Sequence, residues 1–412
     1  MIESRQDVVV IGAGPAGSVA ALALARSGRE VLLVDKARFP RFKVCGCCLS
    51  AKTVGVLRGL GLGDRLDASG AWELSRFRVA ARGRRLELPL PSGTALTRSA
   101  LDSLLANAAR EAGARFLDAT RATVLRTVPG TVLNTSRLAR TVPARTVPGT
   151  VLAGDPRRVT LDDGERRAEI EAGLVLVADG LAGTAFTTEE AMPVVHPTSR
   201  LGAGAILEGS PAATVEPGVV HMAVGRGGYV GMVRVEDRSE SGRGEALPRV
   251  AVAAALDEAA LRGAGGMATL ACEIVERAGG LVPPGLEGAT WRGTPSLTRR
   301  RPVSHAGVLL LGDAAGYVEP FTGQGIEWAV RSGLEIAGLV VANGSARPQD
   351  GTHAPFLEAA WLSRHRSLVL ARQRACRLLI PVLRHEGWMA ALLQIASWRP
   401  TLLARLVRHV AG

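Results

Sequence analysis

Two glycine-rich segments far apart in the chain have the residue types and spacing to bind one long, phosphate-bearing molecule. The first reads Gly12-Ala13-Gly14-Pro15-Ala16-Gly17, and the second begins at Gly312-Asp313 and continues to Gly323-Gln324-Gly325-Ile326. A single segment of this kind indicates a phosphate site and nothing more. Two such segments in this order indicate a long cofactor that is held at two places, which is how FAD is usually bound. We therefore expect FAD as the cofactor.

Each residue type in the first segment has a physical role beside a phosphate. Gly12 permits a tight turn after a short apolar run, Gly14 lets the backbone approach a pyrophosphate, and Gly17 lets the next helix pack closely. That helix is predicted from residue 15 to 26, so its N-terminal N–H groups face the anion. Asp35 ends the second predicted strand, where a carboxylate accepts hydrogen bonds from ribose hydroxyls. The predicted cofactor-binding residues of this segment are Gly12, Gly14, Pro15, Ala16, Gly17, Asp35 and Lys36.

Length and composition are typical of a soluble enzyme with two domains. The chain has 412 residues, 47% of them hydrophobic, and no apolar run approaches the length that spans a bilayer. The first predicted strand lies so close to the N-terminus that we expect no signal peptide. The five cysteines are odd in number and lack the spacing of a disulfide framework, which predicts reduced thiols and a cytoplasmic location.

The net charge of +12 does not by itself indicate nucleic-acid binding. Aromatic residues make up only 4% of the chain, and they do not alternate with basic residues as a stacking surface requires. The C-terminal residues 346–412 are basic and apolar and are predicted to be helical. Two interpretations stay open: a helical subdomain with solvated arginines, or a region that lies peripherally on the inner face of an anionic membrane.

The order of predicted elements indicates an α/β protein in which a Rossmann-like FAD-binding domain alternates with a substrate domain. Ser99 is expected to cap a helix that runs to about residue 112, and Asp179 follows a further buried strand. The FAD-binding domain is predicted from residues 1–75, 96–193 and 292–345, the antiparallel-sheet substrate domain from residues 76–95 and 194–291, and a C-terminal helical region from residues 346–412.

A short internal repeat interrupts the second part of the predicted FAD-binding domain. The sequence at residues 126–133 recurs at residues 145–152. Two copies are too few for a stacked-repeat fold, so we interpret residues 126–152 as a duplicated surface insertion without an assigned function.

Four segments of the chain, taken together, match one family. They are GAGPAG at Gly12, Lys43-Val44-Cys45-Gly46, Ala178-Asp179-Gly180 and the run from Gly312 to Ala329. They resemble the geranylgeranyl reductase family of flavoproteins, a branch of the fold that p-hydroxybenzoate hydroxylase shares. The resemblance covers most of residues 1–340, and it implies that Asp313 contacts the ribityl chain of FAD. The cofactor-binding residues implied in this way are Cys45, Arg98, Asp179, Gly312, Asp313, Gly323, Gly325 and Ile326.

Small differences favour the reductase branch over its neighbours. Ring hydroxylases usually have histidine where this chain has Gly316, and the Trp-x-Trp-x-Ile-Pro segment of flavin halogenases is absent from the sequence. One departure argues against a prenyl substrate. Prenyl reductases often carry an aromatic-Trp-x-Phe-Pro stretch, whereas this chain has Gly228-Tyr229-Val230-Gly231-Met232 at the comparable place.

The cluster of Cys45, Cys47 and Cys48 is the strongest candidate for chemistry by the protein itself. We expect no metal site, because no second cysteine or histidine pair lies at ligand spacing. The resemblance implies that Cys45 lies next to the flavin ring, where three roles stay open: a catalytic proton donor, one half of a reversible disulfide, or a small residue that merely fits. Among the histidines, His221 and His305 are expected near the cavity or the cofactor edge.

The sequence thus predicts an FAD-dependent oxidoreductase that acts on a hydrophobic substrate of isoprenoid, lipid-like or polyketide type. The first hypothesis is hydride transfer to a carbon–carbon double bond, with Cys45 as proton donor. The alternative is a monooxygenase that hydroxylates an aromatic or quinone-like compound. A flavin-free binding protein is disfavoured by the intact phosphate loop and Asp313. Because no second GxGxxG segment exists, NAD(P)H is expected only as a transient electron donor, unless another carrier supplies the electrons.

Overall fold

The structure is a computed structural model. It describes residues 3–125, 157–186, 192–238, 246–305, 307–319, 323–343, 354–370 and 380–398. The predicted insertion at residues 126–152 lies outside the described residues, as do residues 346–353, 371–379 and 399–412 of the predicted C-terminal region. Within the described ranges, no helix combines the length and the apolar character that crossing a membrane requires.

The described elements form three sheets with helices packed against them. The strands in chain order are β1 (Arg5–Ile11), β2 (Val31–Val34), β3 (Cys48–Leu49), β4 (Trp72–Ala81), β5 (Arg84–Ala95), β6 (Arg115–Leu117), β7 (Arg121–Val124), β8 (Arg157–Asp162), β9 (Arg167–Val177), β10 (Val194–Val195), β11 (Leu201–Glu208), β12 (Val219–Gly225), β13 (Gly228–Arg238), β14 (Leu247–Leu256), β15 (Arg292–Ser296), β16 (Arg299–Arg300), β17 (Ser304–His305), β18 (Val308–Leu310) and β19 (Gly316–Tyr317). The helices are α1 (Pro15–Arg26), α2 (Ala51–Gly59), α3 (Gly63–Asp67), α4 (Arg98–Glu111), α5 (Ser210–Ala213), α6 (Glu258–Ala264), α7 (Met267–Ala278), α8 (Gly325–Ala342), α9 (Ala354–His365) and α10 (Glu386–Trp398).

The first sheet brings together parallel strands from distant parts of the chain. Its central order is β18-β9-β1-β2-β6, all parallel, with β17 and the β7–β8 ribbon added as antiparallel strands. Both faces of β2 and of the last four residues of β1 are buried, which explains why these segments are unbroken apolar runs. Gly12, Asp35, Asp179 and Gly312 follow the carboxyl ends of β1, β2, β9 and β18, so the predicted residues meet at one sheet edge.

Close contacts between glycines and backbone fix α1 and α8 against this sheet. A β-carbon added to Gly17 would lie 1.9 Å from the Gly12 carbonyl oxygen, and one added to Gly333 would lie 2.2 Å from the Ala16 carbonyl oxygen. Both distances are far shorter than any real contact of a β-carbon. The helices that follow the two glycine-rich segments therefore pack directly on each other because these positions carry no side chain.

The second sheet has the order β15-β11-β14-β13-β12-β4-β5-β3 and is antiparallel except for the β12–β4 pair. Helix α7 covers one face through Leu270, Ile274 and Val275. Helix α10 packs over the opposite face through Met389 and Leu393. The third sheet, β10-β16-β19, is small and antiparallel. The predicted fold class, α/β with a Rossmann-like domain, an antiparallel sheet and helices near the C-terminus, is confirmed, whereas the exact domain boundaries stay predictions.

The cap of α4 differs from the expected one. The helix begins at Arg98, and the Thr97 hydroxyl accepts a hydrogen bond from the Ala100 N–H at 3.2 Å, so the prediction that Ser99 is the cap is wrong. Thr97 is also held by the buried carboxylate of Glu236 in β13, which accepts from the Thr97 N–H at 2.8 Å. This contact ties the second sheet to the helix that carries Arg98.

The close packing of α1 on α8 predicts opposite effects for two glycines of the same helix. Gly333→Ala is expected to destabilise the protein by about 1–3 kcal/mol, because the added methyl overlaps the α1 backbone. Gly338→Ala is the matched control, since nothing lies within 4 Å of its β-carbon position, and it is expected to stabilise by up to about 1 kcal/mol. Denaturant unfolding of both variants measures this. Equal stability of the two variants would contradict the packing described.

Candidate active site

One cavity of about 650 Å³ lies between the first and second sheets. Both glycine-rich segments and the cysteine loop contribute to its wall, together with one face of the second sheet. The predicted cofactor-binding residues that line it are Gly12, Gly14, Pro15, Ala16, Asp35, Lys36, Cys45, Arg98, Asp179, Asp313, Gly323, Gly325 and Ile326. The cavity therefore joins positions that are separated by some 300 residues in the sequence, as the two-segment hypothesis requires.

Two predicted positions, Gly17 and Gly312, lie behind the cavity wall and not in it. Gly17 is packed on the Gly12 carbonyl, as described above. Gly312 has a φ of 55°, in the left-handed region that favours glycine, and a β-carbon there would lie 3.0 Å from the Ala16 β-carbon. These two glycines shape the backbone that lines the cavity.

Two arginines and a buried carboxylate surround the open space beside Gly14. A β-carbon on Gly14 would lie 3.5 Å from Arg98 Nη2 and 3.8 Å from Arg41 Nη2. Arg98 donates two hydrogen bonds to the fully buried Asp102, each 2.9 Å long, and Arg41 Nη2 lies 3.2 Å from the same carboxylate. Arg41 Nη2 also lies 3.4 Å from Asp35 Oδ2, so two arginines and two carboxylates meet here. The two guanidinium groups and the free N–H groups at the N-terminus of α1 are donors that favour an anion at this place. Arg41 was missed in the sequence because the 38–43 loop has no recognisable spacing.

Asp35 holds the glycine turn from the other side. Its Oδ2 accepts from the Ala13 N–H at 2.8 Å, and its Oδ1 accepts from the Ala37 N–H at 2.9 Å. A carboxylate oxygen can accept more than one hydrogen bond, so Asp35 can still accept hydrogen bonds from the hydroxyls of a ribose. Beside it, Lys36 donates to the Thr184 hydroxyl at 3.3 Å.

Charged groups also gather at the other end of the cofactor site, around Asp313. Burial raises the pKa of Asp313, and the nearby charges of Lys43 and Arg98 act in the opposite direction. Burial lowers the pKa of Lys43, and Arg98 and Arg41 lower it further. Lys43 Nζ lies close to Gly180, where a β-carbon would approach it to 2.6 Å. Lys43 was part of the resemblance but was not assigned a role from sequence.

The cysteine loop places Cys45, Cys47 and Cys48 in the cavity wall. The Cys47 N–H donates to Cys45 Sγ at 3.3 Å. A hydrogen bond from the Cys47 thiol lowers the pKa of Cys45 to about 6, and Arg98 lowers it in the same direction against the effect of burial. The same hydrogen bond and burial raise the pKa of Cys47 well above its usual value, whereas burial raises that of Cys48 to about 12. Cys45 is thus a thiolate at neutral pH and its two neighbours are thiols.

Much of the remaining cavity wall is apolar. It combines Phe77 and Val79 of β4 and Met222 of β12 with Met389 and Leu393 of α10. No charged side chain projects from α10 after Glu386, so this half of the cavity suits an apolar ligand.

The chain has two tyrosines, Tyr229 and Tyr317, and both line this cavity. Burial and the charges of Asp313 and Cys45 raise the pKa of Tyr317 well above its usual value. Burial and Glu319 do the same for Tyr229. Glu319 is paired with the buried Arg200 at 3.2 Å. Both tyrosines lie in segments quoted from the sequence, but neither was assigned a role, although their rarity in the chain was a usable signal.

The two histidines expected near the cavity are not among the described residues that line it, so that prediction is wrong. His221 projects from the opposite face of β12, where burial and Arg78 lower its pKa to about 4. The His305 ring packs edge-on against Phe186 with 5.6 Å between the centroids. Within the described ranges, no three histidine, cysteine or acidic side chains are grouped as a metal site.

These residues fit FAD. The glycine loop and α1 N-terminus, with Arg41 and Arg98, match a diphosphate, and Asp35 matches a ribose. Asp313 and the Gly323–Ile326 turn match the flavin half of FAD. The cysteine loop lines the same cavity, together with its apolar residues.

Comparisons with known proteins agree with this assignment. A family model described as an FAD binding domain matches residues 5–148. A menaquinone reductase of Mycolicibacterium smegmatis is 38% identical over 126 residues, which is 29% of this chain and only 30% of that protein. Digeranylgeranylglycerophospholipid reductase 2 of Methanopyrus kandleri is 30% identical over 376 residues, or 85% of this chain and 80% of that protein.

Solved structures share the fold at low identity. A flavin-dependent halogenase superposes with a TM-score of 0.69 at 19% identity, over 95% of this chain and 68% of that one. A geranylgeranyl bacteriochlorophyll reductase-like protein from Thermoplasma acidophilum gives a TM-score of 0.64 at 19% identity, over 98% of both chains. At this identity the likeness shows the fold alone.

The sequence match to the Methanopyrus kandleri reductase extends over most of both proteins. It agrees with a cavity that carries the residues of an FAD site at both glycine-rich segments. The chain belongs to the geranylgeranyl reductase family of flavoproteins.

Proposed function

We propose that the protein is a reductase that adds a hydride to a carbon–carbon double bond of an apolar, isoprenoid-like chain. The observation that carries this proposal is a cavity in which the flavin-side residues Cys45 and Asp313 adjoin a largely apolar wall. Relatives named as reductases of menaquinone and of a digeranylgeranylglycerophospholipid support the same type of substrate. NAD(P)H as the transient electron donor stays a prediction.

The departure in the prenyl-reductase stretch is compatible with this proposal. Tyr229, Gly231 and Val233 of β13 line the cavity at that place. A β-carbon on Gly231 would lie only 3.3 Å from the Met222 methyl, so the glycine widens the cavity beside a flexible side chain. The missing aromatic residues therefore leave room for a bulky or branched chain.

The protein itself binds and orients the substrate and donates a proton to it. Bound FAD supplies the hydride. The apolar sheet face and α10 hold the substrate chain and exclude water, while Arg98 and Lys43 provide positive charge at the flavin end. Saturating a double bond also needs a proton on the second carbon. Cys45 is the predicted donor, and Tyr317 is a second donor that the structure adds to the same wall.

The proposal is tested by the source of the atoms that the product gains. Without oxygen, the reduced holoprotein is expected to convert a polyprenyl lipid to a product with two added hydrogen atoms. Under isotope-labelled dioxygen, the product is expected to carry no label. A product that forms only with dioxygen and contains the label would establish the monooxygenase alternative.

The pH profile of the same reaction identifies the proton donor. Only the thiol form of Cys45 can donate, so with its pKa lowered to about 6 the rate is expected to fall about tenfold per pH unit above that value. If Tyr317 is the donor instead, the rate stays constant through neutral pH, because burial keeps this phenol protonated. In that case Tyr317→Phe abolishes turnover and Tyr229→Phe, the matched control, does not.

Two substitutions are expected to remove the cofactor. Gly14→Val places bulk where the backbone must approach the diphosphate, and Asp313→Ala removes a buried partner of the flavin half. The second change is expected to cost about 1–3 kcal/mol of binding, or roughly 5- to 150-fold in FAD affinity. Gly55→Val is the control, because its β-carbon position on α2 has no atom within 4 Å. Full flavin absorbance after gel filtration of both test variants would refute these assignments.

We also infer that the outer face of α10 rests on an anionic membrane. Trp388 and Ile395 are each 61% exposed on this helix, while Met389 and Leu393 on its inner side line the cavity. The exposed Arg82 of the β4–β5 turn approaches the start of α10, with its Nη1 3.4 Å from a β-carbon built on Gly387. Apolar side chains flanked by arginine match a bilayer with anionic headgroups, and an apolar substrate would enter from it.

This membrane contact is expected to depend on α10. Trp388→Ser with Ile395→Ser should reduce flotation with anionic vesicles, whereas Phe356→Ser, which removes an equally exposed side chain from α9, should not. High salt should weaken binding of the unaltered protein, because exposed charges are screened. Absence of vesicle binding, or a loss caused only by Phe356→Ser, would count against α10 as the contact.

A further inference from the structure

We propose that Cys45 and Cys47 are a redox-sensitive modification site that closes to a disulfide in the presence of hydrogen peroxide and reopens with a thiol reductant. The site lies in the cavity already described, but its chemistry does not require the proposed reductase activity. The experiments that test the proposal therefore measure the oxidation state of the thiols and not turnover.

The geometry of the loop carries this inference. The Cys47 N–H donates to Cys45 Sγ at 3.3 Å, and the Cys47 thiol donates to the Cys45 carbonyl oxygen at 3.5 Å. Cys47 has a φ of 56°, a left-handed conformation in the turn that makes both contacts. A disulfide needs its two β-carbons about 3.5–4.5 Å apart, and these two contacts across one intervening residue hold the two cysteines within reach of each other.

The residue between the two cysteines permits the remaining movement. Gly46 is exposed, and no atom lies within 4 Å of its β-carbon position. A Cys-Gly-Cys loop therefore has backbone freedom where the small disulfide ring needs it. Cys47 itself is only 3% exposed and packs with Leu74 and Val233 of the second sheet. This packing holds in place the thiol that forms the disulfide with Cys45.

Each cysteine has a distinct part in the reaction. The Cys45 thiolate attacks hydrogen peroxide, so an S–O bond forms, the O–O bond breaks and hydroxide leaves. The Cys47 thiol then attacks that sulfur, an S–S bond forms, and the S–O bond breaks as the hydroxyl departs with the Cys47 proton as water. Two electrons pass from the sulfurs to the peroxide. A small thiol reverses the reaction by exchange.

Cys48 is excluded from the pair by its contacts. Its thiol donates to the Gly46 carbonyl oxygen at 3.1 Å, whereas the Cys47 thiol donates to the Cys45 carbonyl oxygen. It stays protonated at neutral pH, because burial raises its pKa to about 12. Cys45, in contrast, is the nucleophilic member, since the Cys47 hydrogen bond and Arg98 stabilise its thiolate.

Closing the disulfide would change the cavity. The negative charge of the Cys45 thiolate next to Arg98 disappears when its sulfur joins the disulfide. The proposed site thus couples oxidation by peroxide to the electrostatics of the flavin end.

One tryptic peptide reports the state of all three cysteines. Cleavage after Lys43 and Lys52 releases residues 44–52, which contain Cys45, Cys47 and Cys48. The FAD-bound full-length protein is treated with equimolar hydrogen peroxide, alkylated and digested, and the mass of the peptide is measured by mass spectrometry. The peptide is expected to lose two hydrogen atoms and to carry one alkyl group instead of three, and a thiol reductant should restore all three. Fragmentation should be suppressed between residues 45 and 47.

Two serine variants locate the bond. Cys48→Ser is expected to keep the disulfide, whereas Cys47→Ser should stop at a Cys45 sulfenic acid that dimedone captures. Retained flavin absorbance shows that each variant is folded. If Cys47→Ser does not fold, the fragmentation pattern of the unaltered protein locates the disulfide instead. Three alkyl groups after peroxide, direct overoxidation of Cys45, or loss of the bond in Cys48→Ser would overturn the proposal.

Discussion

The buried ion pair between Arg98 and Asp102 is the interaction on which the active cavity depends. Asp102 is fully buried and accepts two hydrogen bonds from Arg98, and it also lies 3.2 Å from Arg41. A buried carboxylate without partners is strongly unfavourable, so the two arginines are fixed in place by the charge that they neutralise. That fixed position puts Arg98 beside Gly14, Cys45 and Asp313 at once. Phosphate binding and thiol ionisation therefore share one positive charge.

The second sheet is connected to this ion pair through the start of α4. Glu236 of β13 holds Thr97, and Thr97 caps the helix that carries Arg98 one residue later. At the far side of the cavity, Arg200 joins Glu319 to the carbonyl oxygen of Leu383, just before α10. Polar contacts thus fix the two ends of an otherwise apolar wall. This explains how a cavity lined by Phe77, Val79 and Met389 keeps its position relative to the flavin residues.

The sequence was most informative where local spacing decides the structure. The predicted bounds of α1 match the observed ones, and β2 ends at Val34, directly before Asp35, because a glycine turn, an apolar run and a terminal acid all lie within about 30 residues. Contacts between residues that are distant in the sequence could not be predicted. Thr97 and Ser99 are equally good caps on sequence grounds, and the choice falls to Thr97 because Glu236 reaches it from β13. Arg41 was missed for the same reason, since only the fold brings it to Asp102.

The cysteine loop shows the limit of reasoning from residue type. A thiol beside a flavin suggested a proton donor, but the hydrogen bond from Cys47 and the charge of Arg98 make Cys45 a thiolate at neutral pH. Neither influence is visible in the spacing Cys45-Gly46-Cys47. The two tyrosines lie in segments that the sequence comparison used, but only the fold shows that Tyr317 lies in the same wall as Cys45, where burial raises its pKa.

In the proposed reaction, reduced flavin and an apolar chain meet in one cavity without any need for oxygen. Anaerobic single-turnover absorbance of the photoreduced holoprotein, after mixing with a polyprenyl lipid, tests this directly. The oxidised flavin spectrum is expected to return in proportion to the double bonds saturated, at a rate that rises with lipid concentration. A flavin that stays reduced with every such lipid until dioxygen is admitted would contradict it.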